Sequence, residues 1–261
     1  MSLVSVTELV LSIFPGIDLL GRAFTEEGFC VVTGPDLISG GDIRDFSVPE
    51  GHFSGVIGGP PCQDFSKLRR EPPTGYGLEM LAEYERIVNE AQPEWFLLEN
   101  VPGCPNVTVR GYTHQRIDVN LSWYCDGSRL RHIQFGSRVG DLIHVDKFVT
   151  RQASHGAALA NDDRSFEELC RIQCLPQGFD LPGMTVKGKK RAVGNGVPLP
   201  MGRVLAEAVT HRSQKDAHRR CACGCGRIVT GRRKYCDCAG RKRAQRKRDA
   251  AAPKCDRAPQ Q

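Results

Sequence analysis

A cysteine and a glutamate each stand where an apolar run of the sequence ends. Cys62 lies in a glycine- and proline-rich loop after the run 55–57, and Glu99 directly follows the run 95–98. Two prolines before Cys62 restrict the backbone of this loop. A thiol can attack an electron-poor ring carbon, and a carboxyl group can hold a proton against a ring nitrogen. The pair is therefore suited to covalent attack on a pyrimidine ring, provided that nearby N–H groups or a cation lower the pKa of the thiol.

The surrounding pattern predicts an open α/β sheet of parallel strands that brings these side chains together. Short apolar runs alternate with helical periodicity, and ligands of such sheets bind beyond the carboxyl ends of the strands. The residues at those ends are Phe14, Gly16, Asp36, Cys62 and Glu99. The predicted strands are 9–14, 29–32 (as a buried strand), 55–57, 95–98 and 130–135, and the predicted helices are 19–27, 78–91 and 201–209. Residues 139–165 are weakly patterned, and the Gly- and Pro-rich segment 192–200 leads into the last helix.

Cysteine usage indicates a metal site in a reducing compartment. Five of the twelve cysteines crowd into eighteen residues near the C-terminus, whereas most of the others are scattered. This spacing is typical of Zn²⁺ ligands rather than of a disulfide framework. Four thiolates would bind one Zn²⁺, and the spacing leaves open which four of five they are. The candidates are Cys221, Cys223, Cys225, Cys236 and Cys238.

Charge is divided unevenly along the chain. Residues 211–261 contain 16 Lys and Arg against 4 Asp and Glu, whereas residues 1–210 contain 20 against 26. A basic segment beside an acidic body predicts a polyanionic partner. The sequence has no run of eighteen apolar residues and no signal-peptide pattern. We therefore expect a cytoplasmic protein, associated with nucleoid or phage DNA, that has no membrane partner and is a monomer.

The loop 58–63, Gly-Gly-Pro-Pro-Cys-Gln, and the Glu-Asn-Val at 99–101 resemble motifs of the DNA (cytosine-5) methyltransferase family. The resemblance extends over most of residues 9–209, in the family's order. It implies that Cys62 is the nucleophile and that Glu99 contacts the ring nitrogen. It also implies S-adenosylmethionine as the methyl donor and a Rossmann-like sheet of seven strands.

The same resemblance implies further cofactor and catalytic residues. Asp18 stands where the family has a glycine, and Gly127 replaces a glutamine in its Gln-x-Arg-x-Arg segment. The two arginines of that segment would anchor Glu99, the cytosine oxygen or a phosphate, and the alternative is a solvated pair. The implied cofactor contacts are Phe14, Gly16, Asp18, Asp36, Asp42, Pro60 and Asn195, and the arginines are Arg129 and Arg131.

A cytosine in a duplex must be flipped out before it can react. The loop after the nucleophile is predicted to close over DNA, with a solvated basic face as the alternative. Its predicted DNA contacts are Gln63, Ser66, Arg69 and Arg70. The target-recognition region of such an enzyme would occupy only 139–166, which predicts a short recognition site.

The sequence thus predicts a compact DNA (cytosine-5) methyltransferase of prokaryotic or phage type that acts on double-stranded DNA. Residues 1–210 would form the catalytic domain, 211–248 a basic zinc module and 249–261 a disordered tail. One alternative is an RNA cytosine-5 methyltransferase, although the Cys-Phe-Thr signature of the tRNA-modifying branch is missing. Another is an inactive zinc-dependent DNA-binding protein, against which the presence of both Cys62 and Glu99 argues.

Overall fold

The computed structural model describes residues 7–66, 69, 71–148, 155–213 and 242. The chain divides into two units, Met1–Arg212 and Ser213–Gln261, and the elements named below lie in the first. Six strands of this described part form one sheet in the order β2-β1-β3-β4-β6-β5. They are β1 (Leu9–Ile13), β2 (Cys30–Thr33), β3 (Gly55–Gly58), β4 (Trp95–Asn100), β5 (Thr113–Asn120) and β6 (Leu130–Ser137).

Helices cover both faces of the sheet. They are α1 (Leu19–Glu26), α2 (Tyr76–Ala91), α3 (Phe166–Ile172), α4 (Val186–Asn195) and α5 (Leu199–Thr210). Strand β4 shows why the central strands are continuously apolar, because successive side chains point to opposite faces. Trp95 and Leu97 pack with side chains of α1 and α5, whereas Phe96 and Leu98 pack with Tyr84 of α2. Each of these fully buried side chains contributes about 1.5–3 kcal/mol to folding.

The predicted α/β class is confirmed, whereas the expectation of parallel strands holds for four of the six described strands. Strands β2, β1, β3 and β4 are parallel, whereas β6 runs antiparallel between β4 and β5. The described residues hold six strands, one fewer than the family resemblance implies. The predicted buried strand 29–32 is wrong, because β2 pairs only with β1 and lies largely exposed at the edge. An apolar run does not reveal whether a further strand covers it.

Polar elements were missed for identifiable reasons. Strand β5 has mostly exposed polar side chains, so it carries no apolar run. Helix α4 includes the first residues of the segment 192–200, and α5 begins before the predicted residue 201. Helix α3 does carry a usable signal, since Ser165 and Glu168 form a capping box at its start. In the described ranges, no helix is long and apolar enough to span a membrane.

Candidate active site

Ten of the residues predicted from sequence line a single cleft at the carboxyl ends of the parallel strands. The cleft has a volume of about 200 Å³. Strand ends β1 and β2 supply one side of it, and β3 and β4 supply the other. These lining residues are Phe14, Gly16, Asp36, Asp42, Pro60, Cys62, Gln63, Glu99, Arg131 and Asn195.

The loop that carries Cys62 is tied to the end of β4. Cys62 precedes a short 3₁₀ turn at Gln63–Phe65. The side-chain amide of Asn100 donates a hydrogen bond of 3.0 Å to the carbonyl of Pro60, and its oxygen accepts one of 2.8 Å from the amide of Val101. Asn100 is only 1 % exposed, so these bonds fix the Cys62 loop against the strand that carries Glu99. The sequence analysis assigned no role to Asn100, although it stands beside Glu99 in the Glu-Asn-Val motif.

Glu99 and Arg131 form an ion pair on neighbouring strands. Arg131 Nε donates to Glu99 Oε1 at 2.8 Å, and both side chains are mostly shielded from solvent. Strand β6 lies beside β4, so Arg131 lies at the same edge of the sheet as Glu99, near the carboxyl end of β4. An Arg–carboxylate contact of this length is a charge-assisted hydrogen bond that orients the carboxylate. One carboxylate oxygen is thereby held by the protein, within a cleft that also contains Cys62.

The pKa of the Cys62 thiol is raised, contrary to the lowered pKa that the mechanism was expected to need. Burial is the larger cause, and the negative charge of Glu99 adds to it. The cations Arg131 and Arg129 act in the opposite direction. Since a thiolate and a carboxylate repel each other, neutralising Glu99 would remove one of the two main obstacles to ionising Cys62.

The far side of the cleft presents a carboxylate beside a tight turn. Gly16 has a φ of 58°, in the left-handed region that favours glycine. Its N–H donates to Asp36 Oδ2 at 2.8 Å, and Asp36 Oδ1 accepts from the amide of Ile38 at 2.9 Å. Leu37 and Ile38 are 63 % and 52 % exposed and line the cleft. The turn therefore combines hydrogen-bond acceptors with open apolar surface, which suits a nucleoside.

Two other predicted cofactor residues are held by protein partners. Asp42 forms an ion pair of 2.5 Å with Arg44, and hydrogen bonds from Arg44 lower the pKa of Asp42 to about 2. Asp18 does not line the cleft. It caps α1, accepting from the amide of Gly21 at 3.1 Å and from Ser12 Oγ at 2.8 Å. In this position the Asp18 carboxylate stabilises the start of α1 and the turn that precedes it.

Comparison with known proteins agrees with this geometry. Residues 37–120, a span that contains Cys62 and Glu99, match the family of C-5 cytosine-specific DNA methylases. Several Type II methyltransferases are also similar in sequence. This part of the chain is therefore similar to the DNA (cytosine-5) methyltransferase family.

The similarity to individual family members is partial. The Type II methyltransferase M.XorII of Xanthomonas oryzae is 36 % identical over 182 residues, which are 61 % of this chain and 41 % of that protein. The Type II methylase M.HgiDII of Herpetosiphon aurantiacus is 29 % identical over 115 residues, or 36 % of this chain and 32 % of that protein. The chain therefore spans less than half the length of these curated relatives.

Solved structures share the fold. The Entamoeba histolytica methyltransferase EhMeth superposes with a TM-score of 0.61 at 11 % identity, covering 78 % of this chain and 98 % of that one. A DNMT2 mutant of Spodoptera frugiperda gives a TM-score of 0.58 at 14 % identity, covering 78 % of this chain and 100 % of that one. At such low identity these likenesses show the fold alone.

The first arginine of the family's Arg-x-Arg segment does not contact Glu99. Arg129 is 5 % exposed, and its Nη1 donates to the carbonyls of Ala158 and Gly194 at 2.8 Å each. Burial, and then the charge of Arg131, lower the pKa of Arg129 to about 9, so it is still a cation at neutral pH. Arg129 thus satisfies a carbonyl at the C-terminal end of α4, where helix carbonyls lack partners.

Gln173 supports the same helix end and was not singled out from the sequence. It is fully buried, and its Nε2 donates to the carbonyls of Val193 at 2.6 Å and Gly196 at 3.0 Å. These carbonyls flank Asn195, which lines the cleft. Gln173 lies within the segment 171–179, which also resembles a motif of the DNA (cytosine-5) methyltransferase family, and this resemblance was the available signal.

Arg69, which was predicted to contact DNA, has hydrogen-bond and ion-pair partners within the protein. Arg69 pairs with Asp64 and donates to the carbonyls of Glu71, at 2.5 Å, and Pro72. Asp64 also accepts from the amide of Gly77 at 2.9 Å, at the start of α2. Asp64 therefore anchors the loop after Cys62 to α2 and is also the counter-ion of Arg69. Gln63 is exposed at the cleft, and Ser66 is half-buried.

Two sets of predicted residues lie outside the described residues: Arg70, and the five cysteines between 221 and 238. Within the ranges that are described, no group of three or more His, Cys, Asp and Glu side chains could hold a metal ion. The zinc site therefore stays a prediction from spacing.

Proposed function

We propose that this chain transfers a methyl group from S-adenosylmethionine to carbon 5 of cytosine in double-stranded DNA, through a covalent adduct with Cys62. The observation that carries the proposal is the shared cleft, in which Cys62 and the Glu99–Arg131 pair lie opposite the Asp36 turn. One cleft can then hold the base on one side and the methyl donor on the other. The family match over residues 37–120 supports the same reaction.

Cys62 and Glu99 divide the chemistry on the base between them. The thiolate of Cys62 adds to carbon 6, and the electron pair displaced from the ring double bond makes carbon 5 nucleophilic. A protonated Glu99 hydrogen-bonds to ring nitrogen 3 and balances the charge that the addition brings into the ring. Arg131 keeps the carboxyl group in place through its other oxygen. Loss of the carbon 5 proton to a base and departure of the thiolate restore the ring.

The charges in the cleft couple these two roles. A carboxylate at Glu99 raises the pKa of Cys62, whereas a carboxyl group that carries a proton does not repel the thiolate. Binding of the base with a proton shared between Glu99 and nitrogen 3 would therefore favour ionisation of Cys62 at the same moment. A raised thiol pKa in the free protein limits side reactions of the nucleophile without preventing attack on a bound base.

The residues across the cleft suit S-adenosylmethionine. Carboxylates at Asp36 and Asp42 would accept from the ribose hydroxyls and the adenine amine, and Phe14 would pack against the adenine ring. The exposed apolar surface of Leu37 and Ile38 gives a ring further area to cover. Gly16, Pro60 and Asn195 would border the methionine part. When bound, S-adenosylmethionine supplies the electrophilic methyl group.

Methyl transfer from labelled S-adenosylmethionine to duplex DNA tests the proposal, with RNA of matched sequence as the second substrate. We expect label in DNA as 5-methylcytosine, located by base-resolution methylation sequencing. The short interval 139–166 leads us to propose a recognition site of few base pairs, which the sequencing would show directly. Label only in RNA would support the alternative RNA methyltransferase, and label in neither nucleic acid would overturn the proposed activity.

A methyl group added at Gly59 should disturb the site without unfolding the protein. A Cβ at this position would lie 3.1 Å from Glu99 Oε2, closer than most such contacts. Gly59→Ala should therefore displace the carboxyl group by a few tenths of an ångström and slow methyl transfer about ten-fold, since small misplacements of catalytic groups are costly. The control is Gly156→Ala, whose Cβ would meet nothing within 4 Å. Equal rates in the two variants, measured as initial rates of methyl transfer, would contradict the close approach.

We also propose that four of the five cysteines between 221 and 238 bind one structural Zn²⁺ and that this basic module adds affinity for DNA. The support is the thiol spacing and the charge of the segment. Zinc content of the purified full chain is the measurement, and a content well below one equivalent would refute the site.

A further inference from the structure

Helix α4 carries an unusual concentration of positive charge for the part of the chain in which it lies. Its ten residues contain four cations and no acid, whereas residues 1–210 as a whole hold more acidic than basic side chains. Neither catalysis nor cofactor binding, as proposed above, uses any of them. The four are Lys187, Lys189, Lys190 and Arg191.

The cations on the two sides of α4 differ in burial and in their ion pairs. Lys189 is half-buried, pairs with Asp180 and lies over the ring of Phe166 at 5.7 Å. Lys187 and Arg191 lie one turn apart on the other side, are exposed, and have no ion pair with any residue that the structure describes. Lys189 therefore stabilises the fold, Lys190 is half-buried, and Lys187 and Arg191 are directed to solvent.

The exposed cations lead toward the cleft. Lys187, Arg191 and Asn195 recur every four residues, so they follow one another along one side of the helix. Asn195 lines the cleft. The end of α4 is also held firmly, because Arg129 and Gln173 donate to its last carbonyls. The stripe formed by Lys187 and Arg191 is thus a rigid extension of the cleft edge.

We propose that this stripe binds phosphates of the DNA duplex whose base enters the cleft. The inference rests on the proposed function and names a contact surface for its substrate. Two other cations near the site, among the residues that the structure describes, have protein partners: Arg131 holds Glu99, and Arg69 holds Asp64. The stripe spans about 6 Å along the helix, one turn, so two neighbouring phosphates of one strand can be contacted together. Phosphate contacts of this kind position the duplex without reading its sequence.

The salt dependence of DNA binding tests the stripe. Each phosphate contact contributes about 0.9 to the slope of log K against log salt concentration. The double variant K187Q/R191Q of the full chain should lower the magnitude of this slope by about 2 and weaken binding roughly ten-fold or more at about 0.1 M salt. The basic C-terminal residues are present in every variant, so their contribution cancels. The measurement is fluorescence anisotropy with a duplex oligonucleotide over a range of salt concentrations.

The matched control removes two exposed arginines from the opposite edge of the sheet. Arg138 directly follows the last residue of β6, which pairs with the first residue of β4. Arg110 lies shortly before the first residue of β5, which pairs with the same residue of β6. We expect R110Q/R138Q to keep the wild-type slope, and the exchange K187R/R191K to keep it as well. Affinity for S-adenosylmethionine alone, measured by calorimetry, should be unchanged in K187Q/R191Q.

Equal slopes in K187Q/R191Q and R110Q/R138Q would overturn the stripe, as would a loss confined to S-adenosylmethionine affinity. Failure of the proposed function has a different signature, because the wild-type chain itself would then transfer no methyl group to DNA. A wild-type chain that methylates DNA, combined with an unchanged slope in K187Q/R191Q, would reject the stripe alone.

Discussion

Replacing Cys62 with alanine should abolish methyl transfer to DNA and leave duplex binding intact. The thiol is the group in the cleft that can form the bond to carbon 6, and loss of a covalent nucleophile lowers turnover by on the order of 10⁴-fold or more. Binding should persist because the small side chain contributes little contact with phosphates. Labelled methyl incorporation and anisotropy on the same duplex separate the two effects.

Cys30→Ala is the matched control, since Cys30 is also a free thiol but is exposed on the edge strand β2, away from the cleft. We expect it to keep wild-type activity. In the presence of S-adenosylmethionine, 5-fluorocytosine in the duplex should trap wild-type and Cys30→Ala protein as a covalent complex, because fluorine cannot leave the methylated carbon 5 as a proton does. Cys62→Ala should remain untrapped. Methyl transfer by Cys62→Ala near the wild-type rate would rule out the covalent mechanism.

The arrangement of Cys62 and Glu99 could be predicted from sequence because it depends on short-range features. An apolar run that ends in a loop places its next residues at a strand end, and parallel strands bring such ends to one edge. Both inferences need only a few neighbouring residues. The same holds for Asp36 and Gly16, each of which stands three residues after the end of its strand.

Contacts that depend on distant chain segments could not be predicted. From the sequence, Arg129 was predicted to be a catalytic residue beside Arg131. Its hydrogen-bond partners are instead 29 and 65 residues away along the chain. Arg129 is buried because residues 158 and 194 pack against it, and no local sequence pattern indicates this burial. Asp18 was assigned to the cofactor from its place in the family motif, whereas its carboxylate caps α1 and does not line the cleft. The direction of a side chain needs the tertiary structure even where its position does not.

Changing Glu99 to glutamine should move two rates in opposite directions. Methyl transfer should fall by roughly 10²–10⁴-fold, because the amide cannot share a proton with ring nitrogen 3 as an acid does. Alkylation of Cys62 by iodoacetamide in the absence of DNA should become faster at neutral pH. The charge of Glu99 raises the pKa of this thiol, so its removal lowers the pKa and increases the fraction of reactive thiolate.

Arg131→Gln provides the opposite change in charge within the same ion pair. Arg131 lowers the pKa of Cys62, so its loss should slow alkylation at a given pH and shift the rate profile to higher pH, whereas Glu99→Gln shifts it to lower pH. Peptide mass spectrometry would follow Cys62, with Cys30 as the internal reference whose rate should not change.

Both variants should methylate DNA more slowly than wild type, because each one removes half of the pair at 2.8 Å. Parallel losses in methylation with opposite shifts in alkylation would mean that Glu99 acts through its proton and not through the reactivity of the thiol. A shift of both alkylation profiles in the same direction would refute the electrostatic coupling between Glu99 and Cys62.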